Sequence, residues 1–401
     1  MSQFIHLLKD RTSAGSVILY CSVIAIAIVA AFLSQYSLLN KSDLKNTVSN
    51  DVMKGKRIIE SYIQWIWLAL SFFVLWFISA FADCGADRET YGLIFSNVSI
   101  SDLLSGWQEP GFILFNMFFR IFGDDPRVIY IAISTVTLFL LYRTWYKLRN
   151  EVLIGYGVLA FTTMFYVQSL SLMRIYMASV MLFAGVKFLR QGEYVKYSLV
   201  ILLTSMIHYS SFLMFLPLGL MYILENRRYR KYVLNILIIV VLVMVFFAIA
   251  AGGSILSSIP IFSRFQSYLQ NVSFSNIGVM QFVYNIPICI LAFFAYYLME
   301  NKTEKNMLVA FTSAAFFYAL LSYGIQVFGR VNSLFSVLYF FLIPMCMRKM
   351  KDYFMSGGKK GRIIYSMLSC ACVIYYVFRF VIYLGEYCDL DMIIPYTNVL
   401  F

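Results

Sequence analysis

From Val152 to Val186 the chain carries one charged residue, Arg174, and from Tyr197 to Leu224 its only ionisable basic or acidic group is His208. Asn306 to Met347 repeats the design, with Arg330 near its middle. Each run is too long for one helical crossing of a hydrocarbon core about 30 Å thick, which takes about 20 residues, and suits two. An arginine held at bilayer depth costs about 2.5–3.5 kcal/mol, so groups kept there tend to line a polar cavity. The three runs therefore read as helical hairpins whose turns converge on a shared site.

Composition supports a chain that lives in lipid. Of 401 residues, 61% are hydrophobic and 13% charged, against about 25% charged in an ordinary soluble domain. The formal charge of +12 sits in short loops between apolar runs, which points to topology and anionic membrane lipids rather than nucleic acid. Seven cysteines include no C-x-x-C pair, and His6 and His208 are the only histidines. No metal site and no cofactor are expected from such a ligand supply.

In chain order, Ser16–Leu33 is too long for a signal-peptide core and reads as a retained span, followed by Ile58–Phe81. Residues 82–125 then form the one sizeable acidic region, which we place outside. Within it Pro110–Phe122 is apolar but only about 13 residues long, so it reads as a re-entrant or interfacial helix. Further spans are expected at Val128–Leu141 (extended to Trp145), Val152–Leu170, Leu172–Leu189, Tyr197–Ile207, Phe212–Leu224, Val233–Ala251, Phe282–Leu298, Met307–Tyr323, Val331–Met347 and Ile363–Leu384. A second outer loop covers 252–279. The fold class expected is an all-α polytopic membrane protein of about 12 transmembrane helices, forming a single integral membrane domain over 1–401 with no soluble domain. With both termini outside, the inner loops hold 23 of the 32 Lys and Arg residues, as the positive-inside rule requires. The two legs of Tyr197–Leu224 rise only about 21 Å each. Their turn must then stop below the outer surface, which puts His208 at the floor of an outward recess. Cys84 and Cys388 both fall outside, where free thiols are the default and a disulfide the alternative.

Arg174, Arg264 and Arg330 with His208 make an anion pocket with a candidate general base. Guanidinium binds phosphate oxygens through paired hydrogen bonds, and imidazole titrates near neutrality and can accept a proton from a sugar hydroxyl. Against this, Arg174 and Arg330 could snorkel to headgroups, His208 could be a packing residue, and Arg264 could be solvated.

The segment Gly85-x-Asp87-x-x-x-Tyr91, then Glu109-Pro-Gly111, SLMRIYMA around Arg174, MIHYSSFL around His208, Arg330 at a span start and Pro395-Tyr396 resemble, in order, the EpsG-like, Wzy-type polysaccharide polymerases. The resemblance runs from about Phe81 to the C-terminus. It implies polymerisation of an undecaprenyl-diphosphate-linked oligosaccharide repeat unit on the outer face of the bacterial cytoplasmic (inner) membrane, on a fold similar to the glycosyltransferase C superfamily. It also leaves room for a chain-length regulator as partner. By matching position, Asp87, Tyr91, Glu109, Arg174, His208 and Arg330 are the family's motif residues here; Ala86 stands where a small or hydroxyl residue is often found before the acidic position, and the Glu109-Pro step is not universal.

The mechanism expected is an inverting, metal-independent glycosyl transfer. His208 is the base, Arg174 and Arg330, with Arg264, hold the departing diphosphate, and Asp87, Tyr91 and Glu109 face the sugars. Glu109 or Asp87 as base stays open. So do two other classes, a flippase of the same lipid-linked oligosaccharide, for which a repeat relating two halves is expected and not seen, and a membrane O-acyltransferase.

Overall fold

The computed structural model describes residues 11–39, 50–105, 108–226, 279–324, 327–386, 388 and 391–398. Among these residues all regular structure is helical, and the one β contact is an isolated antiparallel bridge between Ala82 and Asn398. Four helical stretches among the described residues are long and apolar enough to cross a membrane: Ser13–Gln35, Tyr62–Phe81, Arg127–Lys147 and Gly358–Gly385. Shorter apolar helices occupy Tyr194–Ser205, Tyr209–Glu225 and Pro287–Leu298. This is the composition of a membrane protein. The expected span Val233–Ala251 and the outer loop 252–278 lie outside the described residues.

Contacts divide the chain into two units, 1–184 with 339–401, and 185–338. The first begins with α1 (Arg11–Leu39) and α2 (Asn50–Phe81), packed along each other. Three short helices follow in the acidic segment, α3 (Arg88–Asn97), α4 (Ile100–Ser105) and α5 (Pro110–Arg120), and then α6 (Arg127–Lys147). The sequence pointed to α5 alone among the short ones. α3 and α4 were hidden because both are mixed polar segments whose apolar residues are too few to show a helical stripe.

The first expected run, 152–186, is helical on both sides of a turn, and its first part is not a plain α-helix. That part is α7 (Ile154–Phe161), a π-helical turn (Thr162–Tyr166) and α8 (Val167–Ser169). The Thr162 and Thr163 hydroxyls donate back to the Val158 and Leu159 carbonyls at 2.8 and 2.7 Å, the back-bonding that bends helices, at the place where the ladder widens to π. After a turn at 170–172 the run continues as α9 (Met173–Ala184).

The core of this unit is aromatic. Trp145 of α6 is fully buried and donates its indole N–H to the Phe340 carbonyl at 2.8 Å, and its ring meets those of Phe161, Phe183 and Phe340. In lipid, where apolar packing alone distinguishes little, hydroxyl pairs join helices. Here Ser71 pairs with Tyr142 at 2.6 Å and Ser79 with Ser134 at 2.9 Å, both between α2 and α6.

The second unit starts with α10 (Val186–Arg190) and α11 (Tyr194–Ser205), then a 3₁₀ turn (Tyr209–Met214) running into α12 (Phe215–Glu225). The helical run expected over Tyr197–Leu224 is thus broken at His208, which is in extended backbone with φ −150°. α13 (Val279–Leu298), α14 (Lys302–Gly324) and α15 (Val327–Leu334) follow. α14 packs on α12 and is pinned to α10 by Arg190, whose Nε and Nη2 both donate to Glu304 Oε1, at 2.8 and 2.6 Å. The chain returns to the first unit through α16 (Ser336–Met355) and ends in α17 (Gly358–Glu386).

Candidate active site

Arg174 is the second residue of α9, directly after the 170–172 turn. The neighbouring acidic segment reaches that turn because Gly85 permits it. Gly85 has φ +123°, and a Cβ there would stand 2.7 Å from the Leu170 carbonyl oxygen and 3.0 Å from Ser171 Cα. No residue with a side chain fits both that conformation and that approach.

Asp87 then stands at the N-terminal boundary of α3 without a side-chain capping bond, and Tyr91, one turn on, donates its hydroxyl to Asp87 Oδ2 at 3.4 Å. Glu109 precedes α5, whose first residue, Pro110, has no N–H to leave unsatisfied. The Glu109 side chain does not cap its own helix; it accepts a hydrogen bond from Arg174 Nη1 at 2.8 Å. The side chains in this ion pair are 20% and 10% exposed.

Two rings complete the enclosure. The Arg174 guanidinium carbon lies 5.1 Å from the Tyr91 ring centroid and 4.8 Å from that of Phe112, and the two rings meet edge to face at 6.0 Å. Cation–ring contacts at this range attract by about 0.5–2 kcal/mol each. A guanidinium tied at one nitrogen by a carboxylate and flanked by two rings has a fixed orientation. Its Nε is buried without a hydrogen-bond partner among the described residues. Beside the cluster, a hollow of about 300 Å³ between α3 and α5 has a mixed lining, Thr90, Asn97, Asp102 and Gln108 alternating with Leu93, Ile94, Val98 and Ile113.

The C-terminal segment holds this arrangement from behind. The backbone N–H groups of Asp83, Gly85 and Ala86 donate to the Thr397, Met392 and Asp391 carbonyls at 2.7, 2.9 and 2.9 Å. Tyr20 of α1 donates to the Ile393 carbonyl at 2.8 Å, the Tyr396 N–H donates to Ser16 Oγ at 2.8 Å, and its hydroxyl donates to the Ile78 carbonyl. The Pro395-Tyr396 motif is therefore a strap that anchors the Gly85–Tyr91 segment to α1 and α2.

Residues 65–398 match the family model described as the EpsG family. The chain belongs to the EpsG family. It is a membrane protein of polysaccharide biosynthesis, and the family match begins earlier than the resemblance read from the motifs, within α2 rather than after it. No curated protein and no solved structure matches the chain.

Of the seven site residues expected in this EpsG-family chain, the structure brings four together: Asp87, Tyr91, Glu109 and Arg174. His208 belongs to the second unit, where α15, the helix whose backbone includes Arg330, packs on the 3₁₀ turn that follows the histidine. The side chain of Arg330 and all of Arg264 lie outside the described residues. Cys84 and Cys388 are both buried; Cys84 contacts the Tyr20 hydroxyl at 3.7 Å, and the Cys388 thiol donates to the Leu384 carbonyl at 2.7 Å.

Three participants were not singled out by sequence reasoning. Phe112 looked like one more apolar residue of a greasy helix. Arg88 and Tyr130 lie 42 residues apart, yet the Tyr130 hydroxyl donates to the Arg88 carbonyl at 2.8 Å and its ring lies 4.1 Å from the Arg88 guanidinium. The one legible signal was an arginine inside an otherwise acidic motif.

Proposed function

We propose that this chain polymerises lipid-diphosphate-linked oligosaccharide repeat units by inverting, metal-independent glycosyl transfer on the outer face of the cytoplasmic membrane. A terminal sugar hydroxyl of one unit attacks the anomeric carbon of the growing chain. The bond from that carbon to the diphosphate oxygen breaks, the hydroxyl proton passes to a base, and the lipid diphosphate leaves with the electron pair. The proposal includes the finer architecture expected from sequence, about twelve crossings on a fold like that of the glycosyltransferase C superfamily.

The observation that carries the reading is the Arg174 cluster. A guanidinium oriented by Glu109 and by two rings, in a chain of otherwise apolar helices, is suited to offset charge developing on a leaving diphosphate without reorganising as the bond breaks. Asp87 and Tyr91 suit the sugar side of the same substrate. Proton removal is assigned to His208 on chemical grounds.

The test is a gene deletion complemented with wild type and with Arg174→Lys and Arg174→Gln. A polymerase defect leaves single repeat units on the outer face, and lysine, lacking the planar fork, restores less polymer than arginine. Units stranded inside would identify a flippase, and unaltered chain length would identify an acyltransferase; either would overturn the reading.

A further inference from the structure

Arg88 is the most deeply buried cation described, 3% exposed, and none of its three guanidinium nitrogens has a hydrogen-bond partner among the described residues. The other largely enclosed arginines described are paired, Arg174 with Glu109 and Arg190 with Glu304. An enclosed guanidinium without an acceptor is costly. Its position is nonetheless built rather than accidental. The guanidinium lies over the Tyr130 ring, and Gly92, one turn further along α3, leaves room for that tyrosine: a Cβ there would stand 2.5 Å from the Tyr130 hydroxyl. Burial lowers the pKa of Arg88, but a guanidinium still carries its charge.

Arg88 lines an open groove of about 710 Å³, together with Asp83, Glu89, Ser96, Tyr130 and Met392. Asp83, Glu89 and Asp125 of its lining are exposed, and the second cation there, Arg127, is exposed and already paired with Asp125 at 3.7 Å, so the groove sets one enclosed, unanswered cation behind a rim with excess carboxylate. Those carboxylates repel a polyanion such as a diphosphate, and they accept hydrogen bonds from hydroxyl groups. The complementary ligand has many hydroxyls and a single negative charge.

We propose that this groove is a subsite for an acidic sugar, whose carboxylate is taken by the Arg88 guanidinium while Asp83 and Glu89 accept from its hydroxyls. The source of that sugar, an incoming or growing repeat unit, rests on the polymerase reading above; the binding itself does not. Because the guanidinium nitrogens are covered, capture turns the side chain off the Tyr130 face towards the groove, exchanging a cation–ring contact for charge-assisted hydrogen bonds.

The test uses the full chain in nanodiscs of neutral phosphatidylcholine, with methyl glucuronoside and methyl glucoside as probes read by saturation-transfer NMR. The glucuronoside is expected to bind at least about tenfold more tightly than the glucoside, the scale of one charge-assisted interaction. Arg88→Gln should remove that preference. Ser96→Trp, on the exposed face of α3, should weaken the glucuronoside by filling the groove while Arg88 stays in place. Equal binding of the two sugars, or a preference that survives Arg88→Gln in a folded protein, would overturn the proposal. Displacement of the glucuronoside by inorganic phosphate at equal concentration, or by anionic phosphatidylglycerol in the disc, would instead make this a general phosphate or headgroup site and also overturn it. Glucuronoside binding by a protein that makes no polymer from lipid-linked units would sink the polymerase reading and leave the subsite standing; polymer made without such binding does the reverse.

Discussion

Replacing Glu109 by Ala tests the physical basis of the Arg174 cluster. At the observed 2.8 Å, two unit charges in a medium of effective dielectric about 20 attract by about 6 kcal/mol. Desolvation of both groups cancels much of that, so the gross figure is not the stability at stake. Removing one partner of a buried pair costs about 3–5 kcal/mol, because the other charge is left enclosed. Arg174 keeps a fifth of its side chain exposed and retains Tyr91 and Phe112, which brings the expectation down to about 2–4 kcal/mol. Glu109→Gln preserves an oxygen to accept from Nη1 and loses only the charge, so it should cost about half as much. At about 2–4 °C per kcal/mol, Glu109→Ala lowers the midpoint of thermal unfolding in a fixed detergent by about 4–16 °C. Arg174→Ala should produce a comparable fall, and the double variant should be less destabilised than the sum of the singles by about 1.5 kcal/mol or more. A drop under about 2 °C, or additivity within about 0.5 kcal/mol, would mean that the pair is effectively solvated and that the guanidinium is not held.

Three further outcomes follow from the packing. Gly85→Ala forces a side chain into φ +123° and to within 2.7 Å of the Leu170 carbonyl; it should cost about 2 kcal/mol or more, read as a lowered unfolding midpoint together with loss of polymer. Trp145→Phe removes the donor to the Phe340 carbonyl and leaves a cavity among Phe161, Phe183 and Phe340, a loss of about 2–4 kcal/mol by the same measurement. His208→Gln keeps a polar side chain at the helix break but cannot accept the hydroxyl proton, so polymer length in cells should collapse while the protein still inserts; full-length polymer would exclude the histidine as base and move attention to Asp87 or Glu109.

Much of the helical framework was legible because lipid makes apolar length a direct signal. Ser16–Leu33 and Ile58–Phe81 fall inside α1 and α2, and the helix breaks at 170–172 and His208 fall within runs that are too long for one crossing. What hydropathy could not show is how a run is divided internally. The π turn at Thr162–Tyr166 depends on two threonine hydroxyls reaching back four residues, and the separation of α9 from α10 falls at Gly185. Neither changes the mean polarity of its segment. Ala82–Asp125 posed the opposite difficulty, since its charges announced a loop and concealed α3 and α4.

The site was legible in proportion to how local its logic is. Arg174 stands out because a single charge in a long apolar run is costly wherever it points. Asp87 and Tyr91 are one helical turn apart, so their contact follows once α3 exists. Glu109 is different: it meets Arg174 across 65 residues, and the sequence supplied only the motif in which it stands, not the pairing. That pairing changes the role of the arginine. Expected as a cation free for a diphosphate, Arg174 is half engaged before any substrate arrives, whereas Arg88, three residues before Tyr91 and unremarked by pattern, has no anionic partner among the described residues. Charge is written in the sequence, but which charge is already answered is decided by burial and by contacts that only the fold supplies. The contrast makes the two arginines separable in one experiment: Arg174 variants should lower the unfolding midpoint through Glu109, and Arg88→Gln, which removes an unanswered buried charge, should leave it unchanged or raise it.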